Sequence, residues 1–204
     1  MFFLIFAASY IPEWCNYLIV GALTIITLWI ISFFRDPYRK VPKNPKIVLA
    51  PADGKITDVE RVEKNDFIGQ KAVRIGIFMS IFDVHINRAP CNAKVEKITY
   101  RWGRHKNAMY PGSGGVNESN ELGLVRTENP QDRLIVRQIS GAIARRIVCT
   151  PHKGESLTAG QKFGMIKFGS RTEIMFPLRE QALLVVKIGD KVKAGETVIV
   201  RYEE

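Results

Sequence analysis

Residues 164–177 read GMIKFGSRTEIMFP, and this stretch decides the class of fold that the chain adopts. Apolar residues cluster and alternate on both sides of Gly169 and Ser170, which predicts one or two buried β-strands. A Gly-Ser pair stands where a strand former is expected. The pair is either an ordinary turn or a place kept for chemistry, since turns alone account for many such pairs.

The rest of the body follows the same β pattern. From Ile47 onward, short segments rich in Val and Ile alternate with Gly, Pro, Asn and Asp, which predicts a mainly β sandwich or barrel. GESLTAGQ (154–161) and GDKVKAGE (189–196) both read as a turn, a short strand and a second turn. They resemble the hammerhead turns of barrel-sandwich hybrids such as biotinyl and lipoyl domains. Neither has the attachment lysine of a carrier domain, so a carrier role is disfavoured.

Composition limits the partners and the chemistry. The 204 residues include 30 Lys and Arg against 20 Asp and Glu, a formal charge of +10. Such a balance suits an anionic partner, either nucleic acid or an acidic lipid surface. The three cysteines have no CxxC spacing, which indicates neither a disulfide framework nor a metal site and favours a reducing compartment.

The N-terminal residues favour a lipid surface over nucleic acid as the partner. Residues 1–34 contain no Lys or Arg, and the 18 residues from Tyr17 to Phe34 carry no charge. A helix of that length spans roughly 27 Å, close to the hydrocarbon thickness of a bilayer. A buried core helix is rarely so uniformly apolar, and a cleaved signal peptide would need a basic n-region and a small-residue cleavage site, which this chain lacks. Because Phe2–Ala8 is also apolar, the anchor is either one span or a helical hairpin.

A basic, proline-rich segment follows, RDPYRKVPKNPK at 35–46. Its three prolines predict a stiff linker, and its five basic residues predict a body on the cytoplasmic side of the cell membrane, close to anionic headgroups. We therefore expect a membrane anchor at 1–34, a linker at 35–46 and a folded body at 47–204, the domain that would carry any catalytic residues. Membrane lipid, and not nucleic acid, is the expected partner.

Three polar residues stand apart in the body: Asp53 in PADG, His85 in FDVHINRAP and Ser170 in KFGSR. Each has an ordinary explanation, as a turn former, a histidine near a strand end and a turn residue. Together they supply a hydroxyl, an imidazole that can accept its proton and a carboxylate that can orient the imidazole, the parts needed to activate a serine.

Several motifs in the body resemble one family. PADGKI, FMSIFDVHINRAP, NESN, GAIARRIVC and KGESLTAGQKFGMIKFGSRTEIMFP are similar to segments of the short, membrane-attached phosphatidylserine decarboxylase proenzymes. The similarity runs from about Phe33 to the C-terminus. It implies self-cleavage between Gly169 and Ser170 into chains 1–169 and 170–204. It also implies a pyruvoyl group made from Ser170 as the cofactor, without pyridoxal phosphate or metal, and decarboxylation of phosphatidylserine to phosphatidylethanolamine. A homodimer is one possible assembly.

The resemblance also assigns roles. Ser170 attacks the carbonyl of Gly169, His85 takes the proton and Asp53 fixes the imidazole tautomer, while His85 is also the candidate acid for the decarboxylation step. This chain has Arg88 where longer relatives carry a second histidine, and Ser119 in NESN departs from NERN. Four arginines are candidates for binding the lipid phosphate or the substrate carboxylate: Arg88, Arg145, Arg146 and Arg171. The alternative is that they form a solvated basic face without a specific partner.

Three rival interpretations stay open. The first is a membrane-anchored lipid-binding module without chemistry. The second is a hydrolase that uses Ser170 as an ordinary nucleophile, although GxSxG is absent. The third keeps the decarboxylation and changes the lipid to an archaeal ether-linked analogue. The loop NAMYPGSGG, 107–115, is by composition a lid or a membrane-dipping segment.

Overall fold

The computed structural model describes residues 12–107, 109, 112–141, 146–167 and 169–203. The chain divides into two units between Arg35 and Asp36. The first unit contains helix α1, Glu13–Phe33, which is long and apolar enough to cross a membrane and has almost all of its side chains exposed. Asp36 precedes a proline, which disfavours further helix there. The apolar stretch Phe2–Ala8 lies outside the described residues, so the choice between one pass and two stays open.

The second unit is built from antiparallel strands, which confirms the mainly β prediction. The largest sheet has the order β13-β2-β3-β11-β7-β6-β5-β9, and two three-stranded sheets have the orders β1-β14-β12 and β4-β10-β8. A four-residue helix, α2 (Ser113–Val116), is the other helical element of the described residues. The strands are β1 Ile47–Leu49, β2 Gly54–Val62, β3 Ala72–Met79, β4 Ile86–Arg88, β5 Ala93–Arg101, β6 Ser119–Arg126, β7 Arg133–Ile139, β8 Ile147–Cys149, β9 Ser156–Leu157, β10 Lys162–Ile166, β11 Ser170–Pro177, β12 Ala182–Leu184, β13 Lys191–Val192 and β14 Val198–Tyr202.

Burial separates the strands of the large sheet. β2 alternates between buried and more exposed residues over its first half, as expected of a strand with one wet face. All eight residues of β11 are buried, so both of its faces are covered by protein. Its neighbours β3 and β7 are also largely buried, and their Ile, Leu and Val side chains form the main core. Full burial of such a side chain stabilises the fold by about 1.5–3 kcal/mol. The stretch 164–177 is therefore the centre of the body.

The two repeated segments form matching turns. Gly160 and Gly195 have φ values of 76° and 72°, a region that glycine enters without steric cost. The amide of Gly160 donates to the carbonyl of Ala89, and that of Gly195 donates to the carbonyl of Ala50. A Cβ on Gly195 would lie 3.2 Å from the Cα of Gly160, so the turns touch. The turns follow the outer strands β9 and β13, so the curling of the sheet brings the chain just beyond these two strands together. This confirms the turn–strand–turn prediction.

The proline-rich segment predicted as a linker lies in the second unit from Asp36 onward. Arg39 is buried and its guanidinium donates to Asp53 at 2.7 Å and to Glu196 at 3.4 Å. Val41 packs against the turn at Gly160, where a Cβ would meet its side chain. Residues 36–46 are thus held against the body by both charge and packing.

One end of the large sheet gathers several segments that contain candidate residues from the sequence. Ser170, the first residue of β11, pairs with Met79, the last of β3. Across the next strands Arg171 pairs with Ile139, Ile139 with Ser119, and Ser119 with Arg101. β3, β5 and β7 therefore end, and β6 and β11 begin, at the same place, which we call the Ser170 end.

Candidate active site

Gly169 and Ser170 lie where the chain passes from β10 to β11, so the predicted interruption separates two strands. Gly169 has a φ of 57° in the left-handed region, where a residue with a Cβ is strained. A Cβ built on Gly169 would meet nothing within 4 Å, so conformation and not space favours glycine here. Phe168, the residue before it, lies outside the described residues.

Ser170 begins β11 with no exposed surface. Its Oγ donates to the Met79 Sδ at 3.6 Å, which is a weak acceptor. The hydroxyl is therefore held in a dry and nearly neutral environment. A serine in such a place becomes a nucleophile only when a base takes its proton.

His85 is fully buried just before β4. Its Nδ1 lies 2.9 Å from the carbonyl oxygen of Asp83. Because a carbonyl only accepts, Nδ1 carries the proton in the neutral ring and Nε2 is the basic nitrogen. The carbonyl of His85 accepts the amide of Ile166, the last residue of β10. The structure thus joins the histidine segment to the strand that leads into Gly169 and Ser170.

Asp53 points to other partners than the predicted imidazole. Its Oδ2 accepts from Arg39 at 2.7 Å and its Oδ1 accepts from the amide of Ala194 at 2.8 Å. No hydrogen bond between Asp53 and His85 is present among the described residues, and the carbonyl of Asp83 holds Nδ1 instead. Asp53 therefore ties the N-terminal segment to the turn after β13. The PADG segment still lies beside β4, because the carbonyl of Pro51 accepts the amide of Arg88.

A chain of neutral side chains runs beneath Ser170. Asn120 donates to Gln138 at 3.4 Å, Gln138 donates to Asn87 at 2.9 Å, and Asn87 donates to the Thr172 Oγ1 at 3.0 Å. Thr172 in turn donates to the Met79 Sδ at 3.4 Å, the same sulfur that accepts from Ser170. These side chains are all buried, so each bond satisfies a polar group that water does not reach. We call these five residues the amide chain: Asn120, Gln138, Asn87, Thr172 and Met79.

The opposite face of β11 carries charge. The Arg171 guanidinium is fully buried and bonds Asp58 at 2.7 and 2.8 Å, Glu173 at 2.9 Å and the Thr57 Oγ1 at 2.8 Å. Arg74 and Arg137 complete the ion-pair cluster, each 3.6 Å from Glu173. Because its donors bind carboxylates of the protein, this geometry gives no support to a phosphate-binding role for Arg171.

The other predicted arginines differ in their surroundings. Arg88 donates to Asp36 at 2.8 Å and to the carbonyl of Gly160 at 3.0 Å, and only 11% of its side chain is exposed. Arg146 is exposed, and its carbonyl accepts the amide of Lys167. Arg145 lies outside the described residues. Within the described part of the chain, Arg146 is therefore the predicted arginine whose guanidinium is open to solvent.

A second polar cluster lies at the Ser170 end and was missed by the sequence reasoning. His105 Nδ1 is 3.1 Å from the hydroxyl of Ser140, and its Nε2 is 3.6 Å from Glu118. Tyr100 donates a short hydrogen bond to Glu118, and Asn117 donates to the carbonyl of Ser140 at 2.8 Å. Desolvation, together with the bond to Glu118, raises the pKa of Tyr100 to about 12. The sequence signal for this cluster was the motif NESN, whose first two residues are Asn117 and Glu118.

The cysteines and the acidic groups offer no alternative centre in the described residues. Burial raises the pKa of Cys91 to about 12 and that of Cys149 to about 11, so both thiols are protonated near neutral pH. No group of three His, Cys, Asp or Glu residues is arranged to hold a metal ion within the described ranges. A surface cavity of about 460 Å³ lies between the proline-rich segment and β1, and neither Ser170 nor His85 lines it.

Comparison with known proteins identifies a family for this chain. The family model described as phosphatidylserine decarboxylase matches residues 26–200. The chain belongs to the phosphatidylserine decarboxylase family. A phosphatidylserine decarboxylase proenzyme from Chlorobium phaeobacteroides is 45% identical over 174 residues, 85% of this chain and 79% of the relative. One from Desulfotalea psychrophila is 42% identical over 86% of this chain and 80% of the relative, and one from Symbiobacterium thermophilum is 41% identical over 94% and 86%.

Membership of the phosphatidylserine decarboxylase family confirms the resemblance seen in the sequence motifs. The relatives are named proenzymes, a word for precursors that are processed. The residues around Ser170 fit a pyruvoyl group derived from it, because its Cβ would become a methyl group beside the Met79 thioether. The open space at Gly169 would let a new chain end move away from the site.

Proposed function

We propose that this chain decarboxylates phosphatidylserine to phosphatidylethanolamine at a membrane, after cutting itself between Gly169 and Ser170. Family membership over most of the chain supports the reaction. One observation carries the proposal for the site: a fully buried serine begins a central strand directly after a glycine of positive φ. An ordinary turn serine has no need of burial in the middle of a sheet, whereas a serine that becomes a cofactor must be shielded from water.

In the first step Ser170 Oγ attacks the carbonyl carbon of Gly169, and Nε2 of His85 takes the hydroxyl proton. The peptide C–N bond breaks, its nitrogen gains a proton, and Gly169 becomes joined to Ser170 by an ester. Gly169 has no Cβ to obstruct the attack. His85 suits the role because its bond to the carbonyl of Asp83 leaves the basic lone pair on Nε2.

In the second step a base removes the Cα proton of Ser170, and the bond between its Cβ and Oγ breaks, so that Oγ leaves with Gly169 as a carboxylate and a Cα=Cβ double bond forms. The dehydroalanine left at position 170 takes up water and loses ammonia, which makes the pyruvoyl group. The products are residues 1–169 and 170–204, and the smaller has 204 − 170 + 1 = 35 residues. A pyruvoyl group supplies an electron sink for the carbanion left when an amino acid loses carbon dioxide.

The remaining residues have distinct proposed tasks. We assign His85 to the return of a proton to the substrate, since it lies on the segment bonded to β10. Asp53 acts as a positioning residue through Arg39 and the Ala194 amide. Arg146, exposed near the Ser170 end, is the arginine that we propose for the lipid phosphate.

Helix α1 bears on where in the cell the reaction takes place. We propose that residues 1–34 anchor the protein in the cell membrane and that residues 47–204 work on the cytoplasmic face. The segment 35–46 carries five basic residues directly after the apolar helix, and basic flanks are retained in the cytoplasm.

Expression of Ser170→Ala beside the natural chain tests the proposal. We expect intact mass spectrometry to find two chains for the natural protein, the smaller one with a ketone at its N-terminus, and one full-length chain for Ser170→Ala. Ser156→Ala, at an exposed position of β9, is the control and should cleave normally. Release of carbon dioxide from phosphatidylserine in mixed vesicles should follow cleavage in all three proteins.

Three results would overturn the proposal. An uncut natural chain would remove the cofactor and leave a lipid-binding module. Labelling of an intact chain by a serine-reactive probe would instead indicate a hydrolase. Cleavage without release of carbon dioxide from the diacyl lipid would mean that the substrate is a different one.

A further inference from the structure

The surface at the Ser170 end carries exposed aromatic side chains. Trp102, the residue after β5, is 87% exposed, and Phe82, in the loop between β3 and β4, is 68% exposed. Tyr100 is 44% exposed and its ring meets that of Trp102 edge-on at 5.1 Å. Large aromatic side chains are costly to leave in water and are typical of surfaces that contact another phase or molecule.

Basic residues lie close to Trp102 in the sequence. Arg101, Arg104 and Lys106 are exposed, and the ion pairs of the described residues do not include them. Trp and Tyr beside Arg and Lys form the composition found at the headgroup level of membranes. A soluble acidic protein would also suit the charge, but it has no requirement for an exposed Trp flanked by three cations.

The loop that bears Trp102 is held in a defined shape. The amide of Arg104 donates to the carbonyl of Val116 at 2.7 Å, and the amide of Glu118 donates to the carbonyl of Arg104 at 3.0 Å. Asn117 bonds both the amide and the carbonyl of Lys106. The aromatic ring is therefore presented by a fixed backbone and not by a mobile tip.

The opposite end of the sheet lacks this pattern. There Val62 pairs with Ala72, and the exposed residues that follow include Glu63 and Lys71, which bond each other at 3.0 Å. The eight residues of β11 put the two ends roughly 24 Å apart. A flat bilayer in contact with one end therefore leaves the other in water.

We propose that Trp102, Phe82 and the three basic residues at 101, 104 and 106 form the surface that rests on the anionic bilayer and brings the lipid headgroup to Ser170. This inference rests on the proposed function, because a buried serine serves a lipid only if its end of the sheet reaches the headgroups. It names Trp102 as the residue that enters the interface. The loop 107–115, predicted as a lid or membrane-dipping segment, lies partly outside the described residues.

Fluorescence of Trp102 in vesicles tests the inference. The chain has three tryptophans, so Trp14→Phe and Trp29→Phe leave Trp102 as the one emitter. The full-length protein is reconstituted in phosphatidylcholine with one third phosphatidylglycerol, an anionic lipid that is not the substrate, with or without bromine on the upper acyl chain. We expect bromine to remove about half or more of the emission of Trp102, as for an interfacial ring.

The control moves the emitter to the other end of the sheet. In a chain with Trp102→Phe and Glu63→Trp added, bromine should remove less than about a tenth of the emission, because that end faces water. Arg101→Gln, Arg104→Gln and Lys106→Gln together should weaken the dependence of Trp102 quenching on phosphatidylglycerol, and the basic residues of 35–46 should account for what remains. Each charge near an anionic surface contributes roughly fivefold in affinity.

Equal quenching of the two emitters, or none for Trp102, would overturn the inference. The readout does not depend on catalysis, and it can be repeated with Ser170→Ala. Loss of decarboxylation with quenching retained would count against the proposed function alone. Normal decarboxylation without quenching of Trp102 would count against this surface alone.

Discussion

The two faces of β11 are equally buried and chemically opposite. On one face Ser170 and Thr172 meet thioether and amide groups, and on the other Arg171 and Glu173 meet a cluster of ionised side chains. Successive residues of a strand point to opposite faces, so one tetrapeptide, SRTE, supplies both. On the charged face, buried ion pairs link β11 to β2, and removing one member of such a pair is costly. The neutral face keeps formal charge away from the Ser170 hydroxyl, which we propose as the nucleophile.

The largest expected effect comes from the charged face. Arg171→Met, made in the uncleaved Ser170→Ala chain, leaves Asp58 and Glu173 buried without their main cation. Breaking a buried pair in this way costs about 3–5 kcal/mol of unfolding free energy. Urea denaturation followed by circular dichroism measures it. Arg61→Met, at an exposed position of β2, should change stability by less than about 0.5 kcal/mol, and equal effects of the two would contradict the comparison.

A methyl group added on either side of β11 should test whether stability and self-cleavage depend on different faces of this strand. In Gly76→Ala the Cβ would fall 1.8 Å from the Nη2 of Arg171, and in Gly164→Ala it would fall 2.3 Å from the carbonyl oxygen of Val148 and 2.7 Å from the Nε2 of Gln138. Each overpacked site should cost about 1–3 kcal/mol. We expect Gly164→Ala alone to slow self-cleavage as well, because it displaces the amide chain. Cleavage kinetics by gel measure the difference, and slower cleavage in Gly76→Ala alone would reverse the assignment.

The amide chain should respond to loss of one link. Asn87→Ala removes the donor to Thr172 and the acceptor for Gln138. Leaving buried polar groups unsatisfied costs about 1–3 kcal/mol, and we expect slower cleavage through a displaced β11. Gln131→Ala, at an exposed amide, is the control. Normal cleavage by a destabilised Asn87→Ala chain would show that the amide chain serves stability alone.

The smallest effect is expected at an exposed carboxylate. Bonding to Lys162, with attraction from Arg88, lowers the pKa of Asp36 below its ordinary 3.8. A lowered pKa in the folded state gives stability above the ordinary value that is lost as pH falls through the folded pKa. Asp36→Asn should therefore cost at most about 1 kcal/mol at neutral pH and flatten the acid side of the stability profile. A steeper acid side would contradict this, and thermal unfolding from pH 2 to 7 measures it.

Local pattern was enough to predict the strands on either side of Gly169 and the matching turns at 154–161 and 189–196. These features depend on neighbours within a few residues. Asp53 and His85 are not hydrogen-bonded to each other in the described part of the chain, because each has nearer partners that only the folded chain reveals. The burial of Arg171 was not foreseen, since Asp58 lies 113 residues earlier and meets it only through strand register. The amide chain joins residues from motifs that the sequence analysis had quoted, such as Asn87 and Asn120. The hydrogen bonds between these residues could not be predicted, because they depend on which face of each strand points into the core.

The strand order has a consequence for the protein after cleavage. Residues 170–204 supply β11 and β13 to the large sheet and β12 and β14 to a second sheet, each strand bonded to neighbours from 1–169 or from its own hairpin. The two products would be interleaved like the halves of a split protein and could not trade partners without unfolding. Each small chain would therefore remain bound to the large chain from which it was cut. If two cleaved preparations with different tags were mixed, no complex with a small chain from one and a large chain from the other should form.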